Sequence, residues 1–168
     1  MIRVLSVASE CAPLVKTGGL ADVAGALPAA LEGHGVQMRT LIPGYPQVMA
    51  AIKGGERVAA WNSFFGGKAR LVAAQASGMD MLVLDAPHLF DRKGSIYLGP
   101  DGKDWPDNPE RYAALSRAGA EVAGGKLPGW MPDVVHCHDW QAGLLPYYLK
   151  RDARPVPSIL TIHNIAFQ

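Results

Sequence analysis

The sequence predicts an α/β domain: a Rossmann-like, mostly parallel sheet with helices on both faces. Three observations predict it. Short apolar runs recur at 2–8, 36–42, 81–84, 134–137 and 158–162. Segments with helical spacing separate most of them, as crossovers between parallel strands require. The chain of 168 residues, 49% apolar and 18% charged, has enough material for one filled core and is not a disordered composition.

Residues 2–8 form a continuous apolar run, as expected for a central parallel strand covered on both faces. Arg3 interrupts the run and Glu10 follows it, which does not suit the apolar core of a secretory leader, roughly 7–15 residues with proper flanks. A loop with Pro13 and Gly18-Gly19 comes next. Leu20, Val23, Ala24, Leu27 and Leu31 then recur at helical spacing, and Gly33 or Gly35 closes the helix. Pro28 inside this pattern removes a backbone hydrogen bond and is expected to kink the helix. Residues 36–42 read as a second strand, ended by Pro43-Gly44.

Residues 58–65 and 68–76, joined at Gly66-Gly67, read as a β-hairpin insertion. Residues 81–84 form a short buried strand. The stretch 87–108 is a long loop rich in Gly, Pro and Asp, a length usually kept for function. Asn108 as cap and Pro109 in the first turn open the next helix. Its inner face carries Tyr112, Leu115, Gly119, Val122 and Ala123. Residues 134–137 are another buried strand. A helix over 140–150, kinked by Pro146, precedes the last strand at 158–162.

Charge and cysteine usage narrow the function classes. The net charge is +1, with no basic stripe and no block of like charges. Nothing points to nucleic acid or a membrane surface, and no run is long enough to span a bilayer. Cys11 and Cys137 are far apart and make no CxxC pair. Two reduced, buried thiols in a cytoplasmic protein are expected.

Three polar segments each follow a predicted strand: Lys16-Thr17-Gly18-Gly19-Leu20, His136-Cys137-His138-Asp139-Trp140, and Thr161-Ile162-His163-Asn164. In open α/β sheets, ligands bind outside the carboxyl ends of the strands. Gly18 and Gly19 lack Cβ and precede a helix, where free N–H groups favour an anion such as a phosphate. Lys16 adds positive charge. The alternative is an ordinary turn beside a solvated lysine. Asp22 lies opposite the apolar stripe at about 100° per residue, facing either the cleft or only the helix dipole. His136 and His138 point the same way on a strand, but no further ligands occur at metal spacing. Asp139 suits a helix cap as well as a sugar-facing carboxylate, with Trp140 packed on the core. His163 and Asn164 offer hydrogen bonds of both polarities. Phe90, Tyr97 and Trp105 are either a sugar platform or pins that hold the long loop.

Taken together, these segments resemble the bacterial glycogen synthase and plant starch synthase family. The opening strand with Ser9-Glu10, the run from Lys16 through Val23, Gly25-Ala26-Leu27-Pro28 and Pro43-Gly44-Tyr45 are similar to its N-terminal signature. His138-Asp139-Trp140 and the segment from Thr161 through Gln168 match two further motifs of the family. The resemblance runs the length of the chain.

It implies the N-terminal, acceptor-side half of a GT-B glycosyltransferase, with residues 1–168 one Rossmann-like domain that is itself cut short, and the C-terminal nucleotide-binding domain absent. It implies transfer of glucose from ADP-glucose, or UDP-glucose in some members, to the non-reducing end of α-1,4-glucan, with retention at the anomeric carbon. By this resemblance His163 and Asp139 are catalytic. Lys16, Gly18 and Gly19 contact the donor, and Asp22, Tyr97, His138 and Asn164 line the sugar or acceptor side. No metal and no cofactor are expected. The second domain would supply most nucleotide contacts, so the isolated chain is expected to be inactive. Two other readings stand beside it: a sucrose synthase-like transferase of the same fold, and a non-catalytic sugar- or nucleotide-binding module.

Overall fold

The computed structural model describes residues 1–154 and 156–167. Gln168, which closes the last motif, lies outside them. Among the described residues one sheet contains β1 (Ile2–Val7), β2 (Val36–Pro43), β3 (Glu56–Phe64), β4 (Gly67–Ala76), β5 (Met79–Asp85), β6 (Val134–His138) and β7 (Ser158–Thr161). Their order is β3-β4-β5-β2-β1-β6-β7. The five strands from β5 to β7 are parallel, while β3 and β4 extend the sheet antiparallel. The mostly parallel α/β sheet read from the sequence is therefore the observed one.

The apolar runs are central because both their faces are covered. Leu5 and Val7 of β1, Leu41 of β2 and Leu82 and Val83 of β5 are all fully buried. The hairpin is present with its turn one residue earlier than expected. Phe65 and Gly66 both have positive φ, 49° and 88°, the mirror-type two-residue turn that matches strand twist. Gly67 instead pairs with Phe64, and a Cβ on it would lie 2.4 Å from the His88 ring. A second such turn, Ser77-Gly78 with φ of 52° and 78°, folds β5 back along β4. The sequence reading missed this pairing, because a continuous apolar run looks the same whichever way its neighbour runs.

Five helices accompany the strands among the described residues: α1 (Gly19–Glu32), α2 (Pro46–Ala51), α3 (Pro87–Phe90), α4 (Asn108–Glu121) and α5 (Leu145–Arg151). α1 continues as one helix through Pro28. Its buried face is Leu20, Ala21 and Ala24, whereas Val23 is 40% exposed. Small residues face inward because the loop after β1 presses against the helix. The Ala12 N–H donates to the Ala21 carbonyl at 2.9 Å, and a Cβ at Gly25 would sit 2.3 Å from the Ala12 carbonyl oxygen.

α4 begins at Asn108, but no side chain caps it. Asn108 does not act as the expected cap. Its amide donates to the Tyr97 carbonyl and accepts from Arg111. The inner face of Tyr112, Leu115, Gly119, Val122 and Ala123 is buried as expected. Residues 140–150 are not one kinked helix. A single 3₁₀ turn (Trp140–Ala142) is followed by a break, and α5 starts afresh. Pro146 sits in the first turn of α5, where its missing N–H costs nothing.

Cys11 and Cys137 are buried free thiols. Burial pushes them up to about 11 and about 12, which keeps them protonated and inert. Among the described residues no helix is long and apolar enough to cross a membrane.

Candidate functional site

The chain leaves β1 toward β2 on one side and returns to β6 on the other. The order reverses between β1 and β6, which makes this the topological switch point, where a crevice opens outside the carboxyl ends. β1, β6 and β7 run parallel and adjacent. The three polar segments therefore emerge on the same edge.

They meet around a cavity of about 750 Å³. Gly18 and Gly19 form part of its wall, with Tyr97, Asp139, His163 and Asn164 from other segments. Leu20, Val23, Leu98 and Trp140 add apolar surface. Trp140 is exposed at the cavity, edge-on to Tyr112, and is not the core residue expected from the sequence. Of the loop aromatics only Tyr97 reaches the wall. Phe90 is buried, and Trp105 lies under the Arg92 guanidinium, 4.7 Å away.

Lys16, Asp22 and His138 are not on the wall. Lys16 Nζ donates to both carboxylate oxygens of Asp22, at 2.7 and 2.8 Å, and both side chains are about half exposed. Such a surface pair contributes about 0.2–1 kcal/mol, so a stronger anion can compete for Lys16. His138 is fully buried, one layer beneath the cavity.

Glu10 organises the loop before α1, a role that the sequence reading did not assign. Its carboxylate is buried and accepts the Thr17 N–H at 2.5 Å, the Gly18 N–H at 3.2 Å and the Thr17 hydroxyl at 2.9 Å. It also accepts the Tyr97 hydroxyl at 2.9 Å. Of the two glycine N–H groups offered for an anion, that of Gly18 is thus already occupied. No side chain caps α1 itself, so the donors that remain belong to the helix beginning at Gly19. Two signals were available: an acid shortly after a buried strand and before a glycine pair, and its place in the Ser9-Glu10 part of the family signature.

Tyr97 ties the long loop to this hub. Its hydroxyl also meets Ser9 Oγ at 2.7 Å and accepts from Gln141 at 3.2 Å. Arg111, itself buried, donates to the carbonyls of Leu89 and Ile96 and clamps the loop from below.

Asp139 has φ 55° and ψ −169°, a region that costs a non-glycine residue on the order of 1–3 kcal/mol. Its surroundings hold it there. Its N–H donates to the Thr161 carbonyl at 2.9 Å, and its carboxylate accepts the His163 N–H at 2.6 Å. The strained residue thereby fixes the backbone of His163.

Three histidines gather here. His136 meets Thr161 Oγ1 at 2.7 Å, and His138 lies between His136 and His163. Burial, then the neighbouring His136 and His163, hold His138 down at about 3. His136 is lowered by burial and by His163. Below pH 6.5 the unfolded chain takes up a proton that folded His138 refuses until about pH 3. Stability is therefore complete above pH 6.5 and falls as pH drops, by up to about 1.4 kcal/mol per pH unit for one such group. Melting temperature should decline from pH 7 to pH 5, and His138→Asn should flatten that slope. An unchanged slope in the variant would assign the effect elsewhere.

The glycines give a second test. A Cβ at Gly18 or Gly19 meets nothing within 4 Å, so the domain's own packing does not demand glycine there. Gly19→Ala should leave the melting temperature near wild type and weaken binding at the cavity. Gly25→Ala should lower stability by about 1–3 kcal/mol through overpacking. Thermal melts of both variants, compared with nucleotide-sugar titrations, separate the two effects.

A mostly parallel sheet with polar loops converging on its switch point defines a Rossmann-like α/β domain. The particular family follows from comparison: a family model described as the starch synthase catalytic domain matches residues 3–168, and the chain belongs to that family. The glycogen synthase of Rhodopseudomonas palustris strain BisB18 is 60% identical over 168 residues, covering 99% of this chain and 34% of its own length. That of Paracoccus denitrificans is 60% identical over 169 residues, covering 100% of this chain and 36% of its own. The solved catalytic domain of starch synthase IV from Arabidopsis thaliana, bound to ADP and acarbose, superposes with a TM-score of 0.72 at 27% identity, over 99% of this chain and 35% of that one. The chain spans about a third of the length of the curated relatives it matches.

Proposed function

We propose that this chain is the N-terminal, acceptor-side domain of a GT-B glucosyltransferase. In the full-length enzyme it works with a second domain to move glucose from ADP-glucose to the non-reducing end of an α-1,4-glucan, retaining the anomeric configuration. One observation carries the reading: Gly18, Gly19, Asp139, His163 and Asn164, from three separate segments, line a single cavity at the switch point. The glycogen synthase names of the relatives and the ADP and acarbose of the starch synthase IV structure support it. The buried free thiols suit a reducing cytoplasm.

The donor diphosphate approaches Gly18 and Gly19, where the absence of Cβ and the N-terminus of α1 receive an anion. Lys16 leaves its weak pair with Asp22 to join it. The donor glucose lies against His163 and Asn164. Asp139 keeps one carboxylate oxygen on the His163 backbone and has the other for a sugar hydroxyl or the positive charge that develops at the anomeric carbon. Apolar surface from Trp140 and Leu98 meets the faces of glucan rings, and Tyr97 closes that side. His138 acts from beneath the wall.

The test is incorporation of radiolabelled glucose into glycogen, with ADP-glucose and UDP-glucose compared as donors. The full-length enzyme should incorporate label from ADP-glucose. The 168-residue chain alone should incorporate none, because the opposite domain must exclude water and stabilise the leaving diphosphate. No transfer by the full-length enzyme would overturn the function. Transfer by the isolated chain would overturn the division of labour.

A further inference from the structure

We propose that Ser6 and His138 together set the tautomer and pose of His163, so that His163 meets its ligand as an Nδ1–H donor. The inference rests on His163 being the sugar-facing residue of the proposed transferase, and it makes His138 a positioning residue.

The geometry is a relay across three adjacent strands or strand ends. Ser6 on β1 places Oγ 3.1 Å from His138 Nε2 on β6. His138 Nδ1 lies 2.9 Å from His163 Nε2, just past β7. The two rings are 18° from parallel. Ser6 and His138 are both fully buried, so water does not complete their hydrogen bonds.

Each link holds one proton, and the partners decide on which side. Among the described residues the Ser6 hydroxyl has no other partner. If His138 carried its proton on Nε2 and donated it to Ser6, the serine hydrogen would be buried without an acceptor, at a cost of about 1–3 kcal/mol. With the serine donating, His138 Nε2 is bare. A neutral imidazole has a single N–H, so His138 carries it on Nδ1 and donates it to His163 Nε2. That nitrogen is then an acceptor, and neutral His163 must hold its proton on Nδ1. His138 stays neutral because burial and the adjacent His136 and His163 rings disfavour its charge. The His163 backbone is fixed separately by the Asp139 carboxylate. The ring is thereby held at two points, and Nδ1–H is left as the donor for a sugar hydroxyl or a phosphate oxygen.

The experiment uses the full-length enzyme labelled with ¹⁵N-histidine, with ADP-glucose and glycogen as substrates. Ring-nitrogen NMR, with the His163 signals identified by their loss in His163→Ala, should find Nδ1 protonated and Nε2 bare. Ser6→Ala and His138→Leu should abolish this preference and lower kcat by roughly 10- to 100-fold, with little change in KM. His138→Asn, whose amide N–H can stand near the place of Nδ1, should recover part of the loss. A purely structural role would instead lower the melting temperature and leave the His163 tautomer as it was. A wild-type His163 protonated on Nε2 overturns the proposal whatever the variants do. So do folded Ser6→Ala and His138→Leu enzymes with wild-type kcat, if His163→Ala is slow. Wild-type turnover in His163→Ala would overturn the sugar-facing assignment, and with it the premise of the relay.

Discussion

His163→Ala in the full-length enzyme should lower kcat by roughly 10²-fold or more, with a smaller change in KM. In glycosyl transfer, positive charge builds on the sugar while the diphosphate departs with negative charge. A contact that is equal in ground and transition states raises affinity without raising turnover. His163 is built to hold one geometry: its backbone N–H is bound by Asp139 at 2.6 Å, and its ring by His138 at 2.9 Å. In the proposed transferase, rigid placement of His163 matters because small misplacement beside a reacting carbon is costly. Steady-state kinetics of the folded variant, with its melting temperature, decide the case. Near-normal turnover, or an activity loss matched by unfolding, would remove His163 from the catalytic group.

Glu10→Gln should destabilise the domain by about 2–3 kcal/mol and weaken donor binding as well. The carboxylate accepts from two backbone N–H groups, the Thr17 hydroxyl and the Tyr97 hydroxyl. An amide has one acceptor oxygen and turns an NH₂ toward those donors. The change costs at least one charge-assisted hydrogen bond and leaves a buried N–H unpaired. Both the Thr17-Gly18 loop and the loop that bears Tyr97 then lose their common anchor. Denaturant unfolding measures the first effect and a nucleotide-sugar titration the second. A Glu10→Gln protein as stable as wild type would show that the negative charge is not what holds the loop.

Much of this site was legible because it is local. Gly18-Gly19, Asp139 and His163-Asn164 each follow a strand recognisable from its apolar run, and parallel strands place such segments on one edge. Other features of the site depend on side-chain contacts that no single segment records. Lys16 and Asp22 look available until they are seen paired. His138 looks like a wall residue, but Ser6, 132 positions away, claims one nitrogen from beneath. Tyr97 stood out as one aromatic among several in a loop. Its place at the cavity is set by Ser9, Glu10 and Gln141.

The α/β class, the central strands, the hairpin and the three polar segments that follow strands were legible in the residues alone. Those features are properties of contiguous residues: side-chain periodicity, turn chemistry and the order of elements along the chain. The three-dimensional packing set the rest: β5 turns back along β4, Pro146 opens a helix and does not bend one, small residues of α1 face inward, and Glu10 and His138 are buried at the cavity. Each of those outcomes depends on which distant group fills a given volume or accepts a given proton. Packing and hydrogen-bond satisfaction are settled between segments, and no periodicity within one segment records them.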